Sequence, residues 1–402
     1  MVMKKLMILG GSRYVLPVIE AAHVLGLYVI TCDYLPDNIA HKYSDEYVNV
    51  SIIDKDAVLY AAQEKEIDGI MSFACDPGVV VAAYVAERLN LPSCGPYESV
   101  CILQNKGKFR KFLADNGFNV PTAKRYKDIN EPIKDISVFH WPVIVKPTDA
   151  AGSKGVSKVE NPEQLREAIG YALSFSRGNE FIIEDFIVAN GFSSDADSFS
   201  VDGRLKFVSF NSQRFDRNAG NPYTPAAYSW PSSMTEEHQE ELASEIQRLL
   251  TLLGMRTSIY NIETREGTDG KAYIMECSPR GGGNRLAECL EYATGVKLIE
   301  NAVRAALGMP VVGLEQKPYD GYWAEIVLHS GKDGVYKRLW IEESVQECVI
   351  ERDIWVRPGE KVKSFTAANF SIGTLVLRFE SEAELQAVMA ETDKYIKVIL
   401  ED

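Results

Sequence analysis

The chain has 402 residues, 46% of them hydrophobic, and a formal net charge of −14. That length exceeds one ordinary domain, so two or three are expected, each with enough apolar residues for a core. The acidic balance disfavours a nucleic-acid partner but leaves room for a local positive pocket that holds phosphates.

Seven cysteines, at positions 32, 75, 94, 101, 277, 289 and 348, form no Cys-x-x-Cys pair. Cys32, Cys75 and Cys277 lie in or beside apolar runs and read as buried free thiols of a reducing compartment. The five histidines show no metal-ligand spacing, which argues against zinc. The first residues, MVMKKLMILGGS, carry an apolar run of only four residues and no cleavage-like region. No apolar run reaches membrane-spanning length. A cytoplasmic protein without a membrane partner is the expectation.

Residues 4 to about 95 alternate strands (6–9, 27–32, 47–50, 69–73) with helices, and Asp54 and Pro77 mark two helix starts. This rhythm implies a parallel sheet with helices on both faces. The Gly10-Gly11-Ser12 turn after the first strand lacks the full G-x-G-x-x-G, which disfavours a dinucleotide enzyme. Arg13 and Asp76 lie beyond the carboxyl ends of their strands, where open α/β sheets bind ligands, and are substrate candidates.

Residues 105–117 form a basic amphipathic helix closed by Gly117. The strand 142–147 carries a charge, Lys146, at its end and is followed by the small-residue loop 149–156, DAAGSKGV. Such a loop lets backbone amides approach phosphate oxygens and can close as a lid. A helix over 162–174 follows, then EFIIEDFI (180–187), read as a strand running into an exposed connector. Segments 192–200 and 205–211 read as a hairpin around Asp202-Gly203. The polar stretch 212–232, with Arg214, reads as a long connection, functional or mobile. Ser233 and Glu236 have capping-box spacing before a helix whose Leu242, Ile246, Leu249 and Leu253 face a core.

The central feature is residues 260–284, YNIETREGTDGKAYIMECSPRGGGN. Two apolar runs flank an Asp-Gly turn, a hairpin signal. Each run ends on an acid, Glu263 and Glu276, which in a paired hairpin can face one side and share hard cations. Arg280, just beyond Ser278, is placed to neutralise a phosphate held there. A surface hairpin with solvated acids has the same local pattern, so the decision falls to the rest of the chain. After a helical stretch, 285–307, the C-terminal part reads as short strands (323–328, 346–351, 374–379, 395–400) and one helix, 381–392.

Together these pieces resemble the ATP-grasp superfamily over nearly the whole chain, in branches that include the carbamoyl-phosphate synthase large subunit, biotin carboxylase and the L-amino acid ligases. The resemblance implies a mixed α/β and α+β fold. It would comprise a Rossmann-like domain (1–100), a two-lobed ATP-grasp domain (101–312, lid lobe about 121–187) and a small α+β domain (313–402). It further implies that Lys106, Lys146 and the lid residues Ser153 and Lys154 contact the ATP phosphates. Glu184, Asp185, Phe186 and Ile187 would form the hinge that reads adenine. Glu263, Glu276 and Ser278 would hold Mg²⁺, with Mn²⁺ as an admissible substitute. Arg280 and Lys146 take catalytic roles, and Gly282, Gly283 and Asn284, with Arg13, Asp76 and Arg214, fall to the substrate. Three departures stand out. Ser278 occupies the usual Asn position, Phe192 a position often acidic (Asp195 or Asp197 replacing it at the ribose), and the lid has only one Gly-x-x-Gly.

The activity implied is an ATP-dependent ligase that joins a carboxylate to an amine or ammonia through an acylphosphate. Its partners would be small molecules, and a homodimer is allowed. The rival readings are a purine-pathway or biotin-carboxylase-like carboxylate ligase and a nucleotide-binding regulatory protein without turnover.

Overall fold

The computed structural model describes residues 3–150 and 152–401. Strands β1 (Lys5–Leu9), β2 (Tyr28–Cys32), β3 (Glu46–Val48) and β4 (Gly69–Ser72) form a parallel sheet in the order β3-β2-β1-β4. Leu6, Met7, Ile8 and Leu9 are all buried, as strands covered on both faces require. Leu6 and Ile8 pack with Val18, Ile19 and Ala22, while Met7 and Leu9 pack with Val58, Ala62 and Val85. The first of these cores continues into the helices Leu286–Thr294 and Leu298–Ala306. The N-terminal sheet is thereby fixed to the rest of the molecule.

A second, antiparallel sheet comprises β5 (Ala123–Tyr126), β6 (Val143–Pro147), β7 (Ser157–Val159) and β8 (Phe181–Asp185) in the order β5-β8-β6-β7. The helix Leu165–Phe175 covers it through Leu165, Ile169 and Ala172. Next come β9 (Ser194–Val201), β10 (Arg204–Phe207), β11 (Ser212–Phe215), β12 (Pro225–Trp230), β13 (Ser258–Glu266) and β14 (Ala272–Ser278). Of these, β10-β9-β13-β14 form a third sheet. The last strands are β15 (Tyr322–Leu328), β16 (Gly334–Ile341), β17 (Val349–Ile354), β18 (Lys361–Val362), β19 (Gly373–Phe379) and β20 (Ile396–Leu400). They complete a five-stranded sheet, β11-β12-β15-β19-β17, and a small one, β18-β16-β20. No helix among the described residues is long and apolar enough to cross a membrane.

Several local expectations need correction. The stretch 212–232 is not simply a long connection. It contains β11 and β12, which pair with each other and bury Gln213, Tyr228 and Trp230. Its polar residues sit inside a sheet, where period-2 hydrophobicity does not reveal a strand. The helix Glu236–Leu252 is capped by Thr235, which accepts from His238 N, rather than by Ser233. Glu184 is not in an exposed connector. It lies in β8, paired with Ala123 and Ile144, and is 2% exposed. The helical stretch 285–307 is two helices, broken at Gly295. Cys75 is only partly buried, whereas Cys32 and Cys277 are buried and all the cysteines are free.

The second and third sheets are joined by one buried guanidinium. The helix Lys106–Asp115, capped by Asn105, brings Arg110 between them. Arg110 Nε donates to Glu184 Oε2 at 2.9 Å, and Nη1 donates to the Met275 carbonyl on β14 at 2.7 Å. Lys146 Nζ approaches the other Glu184 oxygen at 2.5 Å. Burial alone would raise the Glu184 pKa, but Arg110 and then Lys146 outweigh it and hold it at about 2. A paired buried charge contributes little net, whereas one stripped of its partner is strongly destabilising. Arg110→Met should therefore cost ~3–5 kcal/mol in urea unfolding. Because the folded pKa is depressed, the unfolded chain takes up protons first on acidification. Stability from Glu184 is fully present above its ordinary 4.5 and is lost as pH falls from there toward about 2. Urea midpoints across that window should decline with a steeper slope in the wild type than in Arg110→Met.

Candidate active site

The site is built on the open face of the third sheet. Across β9, β13 and β14 the register aligns Asp195 with Glu263 and Glu276, and Asp197 with Asn261 and Ser278. Residues two apart on a strand share a face, so these two rows form one polar surface. The alternate residues Ile262 and Cys277 point the other way, into a core with Leu242, Ile246 and Leu249 of the helix Glu236–Leu252. That apolar backing turns both glutamates toward the cleft. A β-bulge immediately after Glu263 shifts the register beyond the pair.

Two lysines meet this surface. Lys106 Nζ lies 2.8 Å from Glu276 Oε1 and donates to the Ala150 carbonyl at 3.0 Å. Lys146, at the end of β6, is buried on Glu184. The two metal-candidate glutamates respond differently. Glu263 is pushed up by burial and by neighbouring Glu276. Glu276, despite burial, is held down by Lys106 and Lys146. Arg265 reaches Glu263 only at 3.5 Å. The carboxylate surface is thus short of positive charge at Glu263. Among the described residues no three His, Cys, Asp or Glu side chains converge to hold a metal by themselves. A cation shared by the two glutamates would therefore need oxygens from its ligand, as hard cations bound to phosphates have.

A second cluster flanks the first. Arg280 Nε and Nη2 donate to Asp76 Oδ1 at 2.9 and 2.8 Å, and Nη1 donates to Asn261 Oδ1 at 3.1 Å. Ser278 Oγ donates to the same Asp76 oxygen at 2.9 Å and accepts from Gln104 Nε2 at 2.7 Å. Asp76 is held low because Arg280 and Ser278 outweigh its burial. The chain then turns sharply. A side chain at Gly281 would come within 2.2 Å of the Phe73 ring, so only glycine fits. Gly282 N donates to Asp197 Oδ1 at 2.8 Å. Burial first, with Glu263 next, pushes Asp195 up to about 7, and burial does the same to Asp197. Asn284 adopts φ 52°, accepts from Tyr14 OH at 2.9 Å and donates to Tyr228 OH at 3.1 Å.

The structure thus brings Lys106, Lys146, Glu184, Asp195, Glu263, Glu276, Ser278, Arg280, Asp76, Gly282 and Asn284 around one region. Other candidates stand apart. Arg214 stacks on Phe192 at 4.1 Å and donates to Gln386 Oε1 at 3.1 Å. As the strand neighbour of Gln213, it points to the opposite face of its sheet. Arg13 lies over the Trp355 ring at 5.5 Å. In the lid, Ser153 donates to the Tyr223 carbonyl at 3.0 Å and Lys154 is exposed, while Ala151 lies outside the described residues. In the hinge, Asp185 accepts from His140 N and pairs with Nδ1, both at 2.9 Å. Phe186 N donates to the Pro142 carbonyl, and the Ile187 carbonyl accepts from Arg265. Gly283 is loosely packed, with Tyr14 3.8 Å from where a side chain would begin.

Sequence reasoning missed Arg110, Gln104, Asn261, Tyr14 and Tyr228. Asn261 had a signal, its two-residue spacing from Glu263, matched by Glu276 and Ser278. The others make their site contacts with residues distant in sequence, and no local pattern marks them.

A cleft of about 250 Å³ is lined by Asp76, Gln104, Lys106, Asp149, Glu276 and Ser278. Of the two lysines and the paired glutamates, Lys106 and Glu276 line this cleft. Residues 139–288 match the family described as the ATP-grasp domain. The carbamoyl phosphate synthase large chain of Thermotoga maritima is 23% identical over 331 residues, 81% of this chain. The chain spans 30% of that relative's length. A solved L-amino acid ligase from Bacillus licheniformis superposes with a TM-score of 0.81 at 22% identity, over 99% of both chains. A Hydrogenobacter thermophilus biotin carboxylase domain in complex with MgADP gives 0.76 at 17%, over 99% and 91% of the two chains. At these identities the structural likeness establishes the fold. The ATP-grasp match itself covers residues 139–288 of the chain.

Proposed function

We propose that the protein is an ATP-dependent ligase that joins a carboxylate to an amine or ammonia, releasing ADP and phosphate. The observation that carries this reading is the facing of Lys106 and Lys146 by the in-register pair Glu263 and Glu276. Cationic donors on one wall and hard oxygen donors on the other fit a nucleotide polyphosphate with its divalent ion. The similarity to a carbamoyl phosphate synthase large chain and an L-amino acid ligase supports the same reading.

Glu263 and Glu276 would hold Mg²⁺, with Mn²⁺ as a substitute, and Ser278 would do so only by leaving Asp76. The ion supplies charge neutralisation at the transferring phosphoryl group. Lys106 and Lys146 hold and orient the phosphates, and the hinge 184–187 presents backbone groups to the adenine. Arg280, fixed by Asp76 and Asn261, offsets charge as it develops on the transferred group. The substrate carboxylate oxygen attacks the γ-phosphorus and the bond to ADP breaks. The amine nitrogen then attacks the acyl carbon, phosphate departs and the nitrogen loses a proton. No protein nucleophile is needed, since both bonds are made by substrate atoms.

Glu276→Gln removes a full charge from the metal pair and should lower ATP turnover several hundredfold, about 3–4 kcal/mol in the barrier. ADP release measured over paired carboxylate and amine libraries checks it, and near-normal turnover in the variant rules out the metal assignment. Lys106→Met should weaken MgATP binding by about tenfold or more through loss of a charge-assisted contact. Isothermal titration with a non-hydrolysable ATP analogue measures this, and unchanged affinity would remove Lys106 from the phosphate site.

A further inference from the structure

The cleft beside Lys106 and Glu276 has a second, apolar end. Ile53, Pro77, Val80, Val81 and Leu103 line it together with the charged pair, so one cavity of about 250 Å³ runs from hydrocarbon to ionic groups. Pro77, Val80 and Val81 belong to the first turns of the helix Asp76–Arg88, which begins just after β4 ends. Ile53 stands in the loop between β3 and the helix Lys55–Lys65. Both segments lie at the carboxyl edge of the parallel sheet, where open α/β sheets bind ligands. Val81 and Leu103 are buried and back the cavity, whereas Pro77 and Val80 are half-buried.

Ile53 is the member that core packing does not explain. It is 54% exposed, while its neighbour Ile52 is buried in the core with Met7, Val58 and Val85. A single exposed apolar side chain is ordinary on a surface. This one borders a cavity whose half-buried members Pro77 and Val80 are apolar as well, and the cavity opens beside it and beside the exposed Arg177. The space suits a substituent, since an engineered apolar cavity of about 150 Å³ takes up benzene. The adenine does not claim it, because no residue of the hinge 184–187 lines it. Lys146, Glu263 and the 281–284 turn contribute nothing to it either. The apolar end therefore belongs to a group that reaches the Lys106–Glu276 pair from the N-terminal domain.

We propose that the carboxylate substrate carries an apolar substituent the size of an isobutyl or phenyl group, seated on Ile53, Pro77 and Val80, with its carboxylate toward the Lys106–Glu276 end. This rests on the ligase reading of the site. The acid then lies along the cavity with its charge among the ionic groups and its hydrocarbon away from water. Each methylene removed from water at the apolar end is worth about fourfold in kcat/KM. A polar acid of equal size gains nothing there and leaves its own polar group without partners.

The test measures ADP release with MgATP and ammonia or methylamine as acceptor. The acids are acetate, butyrate, 4-methylpentanoate and 3-phenylpropionate, with succinate as the polar counterpart. Alanine, leucine and asparagine form a second series with an α-amino group. A kcat/KM that climbs about fourfold per methylene, and favours leucine over asparagine by about tenfold or more, supports the proposal. Ile53→Ser should lower kcat/KM for the long apolar acids about tenfold more than for acetate or alanine, and Ile53→Leu should restore it. Ile53 is exposed in a loop, so these variants report on the cleft rather than on folding. A flat series, a preference for the polar member, or an Ile53→Ser effect equal on short and long acids overturns it. If no acid releases ADP with any acceptor, the ligase reading fails, and thermal melting of the wild type with 3-phenylpropionate decides. A stabilising shift that is absent in Ile53→Ser supports the apolar seat, and no shift, or an equal shift in both proteins, overturns it.

Discussion

Glu184 is shared between two cations that arrive from different parts of the chain, Arg110 on a helix and Lys146 at the end of β6. Arg110 also reaches the Met275 carbonyl on β14. One carboxylate therefore sets the second sheet against the sheet that carries Glu263 and Glu276. In low-dielectric surroundings each of these three charges is tolerable only while the others are present. The separation between the two walls of the cleft depends on that balance.

The cleft is organised as a gradient of charge. The Asp195, Glu263 and Glu276 row is in register across three strands, and Lys106 meets it at Glu276. The opposite pKa shifts of Glu263 and Glu276 report the same fact from two sides, since only Glu276 has a lysine at contact distance. Beyond this row the excess of carboxylates continues through Glu288 to Glu325. Arg280 and Arg285 are the cations that interrupt it, and both are bound to carboxylates, Asp76 and Glu351.

Much of this was legible from residue order. The β13–β14 hairpin follows from an Asp-Gly turn between two apolar runs, with acids at matching distances from it. The parallel N-terminal sheet follows from continuous apolar strands alternating with capped helices. The polar strands β11 and β12 were not legible. Their buried Gln213 and Ser229 and half-buried Arg214 violate the period-2 pattern that marks a strand, because their neighbours come from β15 and from the helix Glu382–Ala390. Glu184 was misplaced for a related reason, since an acid at a strand end looks exposed unless its partners are known.

The sequence by itself determined the order of the parts and the residues that bear charge beside the cleft, because those depend on short-range spacing and turn chemistry. Only the tertiary structure decided which charges meet. The Lys106–Glu276, Arg280–Asp76 and Arg110–Glu184 pairs each join residues more than 70 positions apart. Electrostatic energy falls with distance in space, and distance in space is what the linear order does not contain.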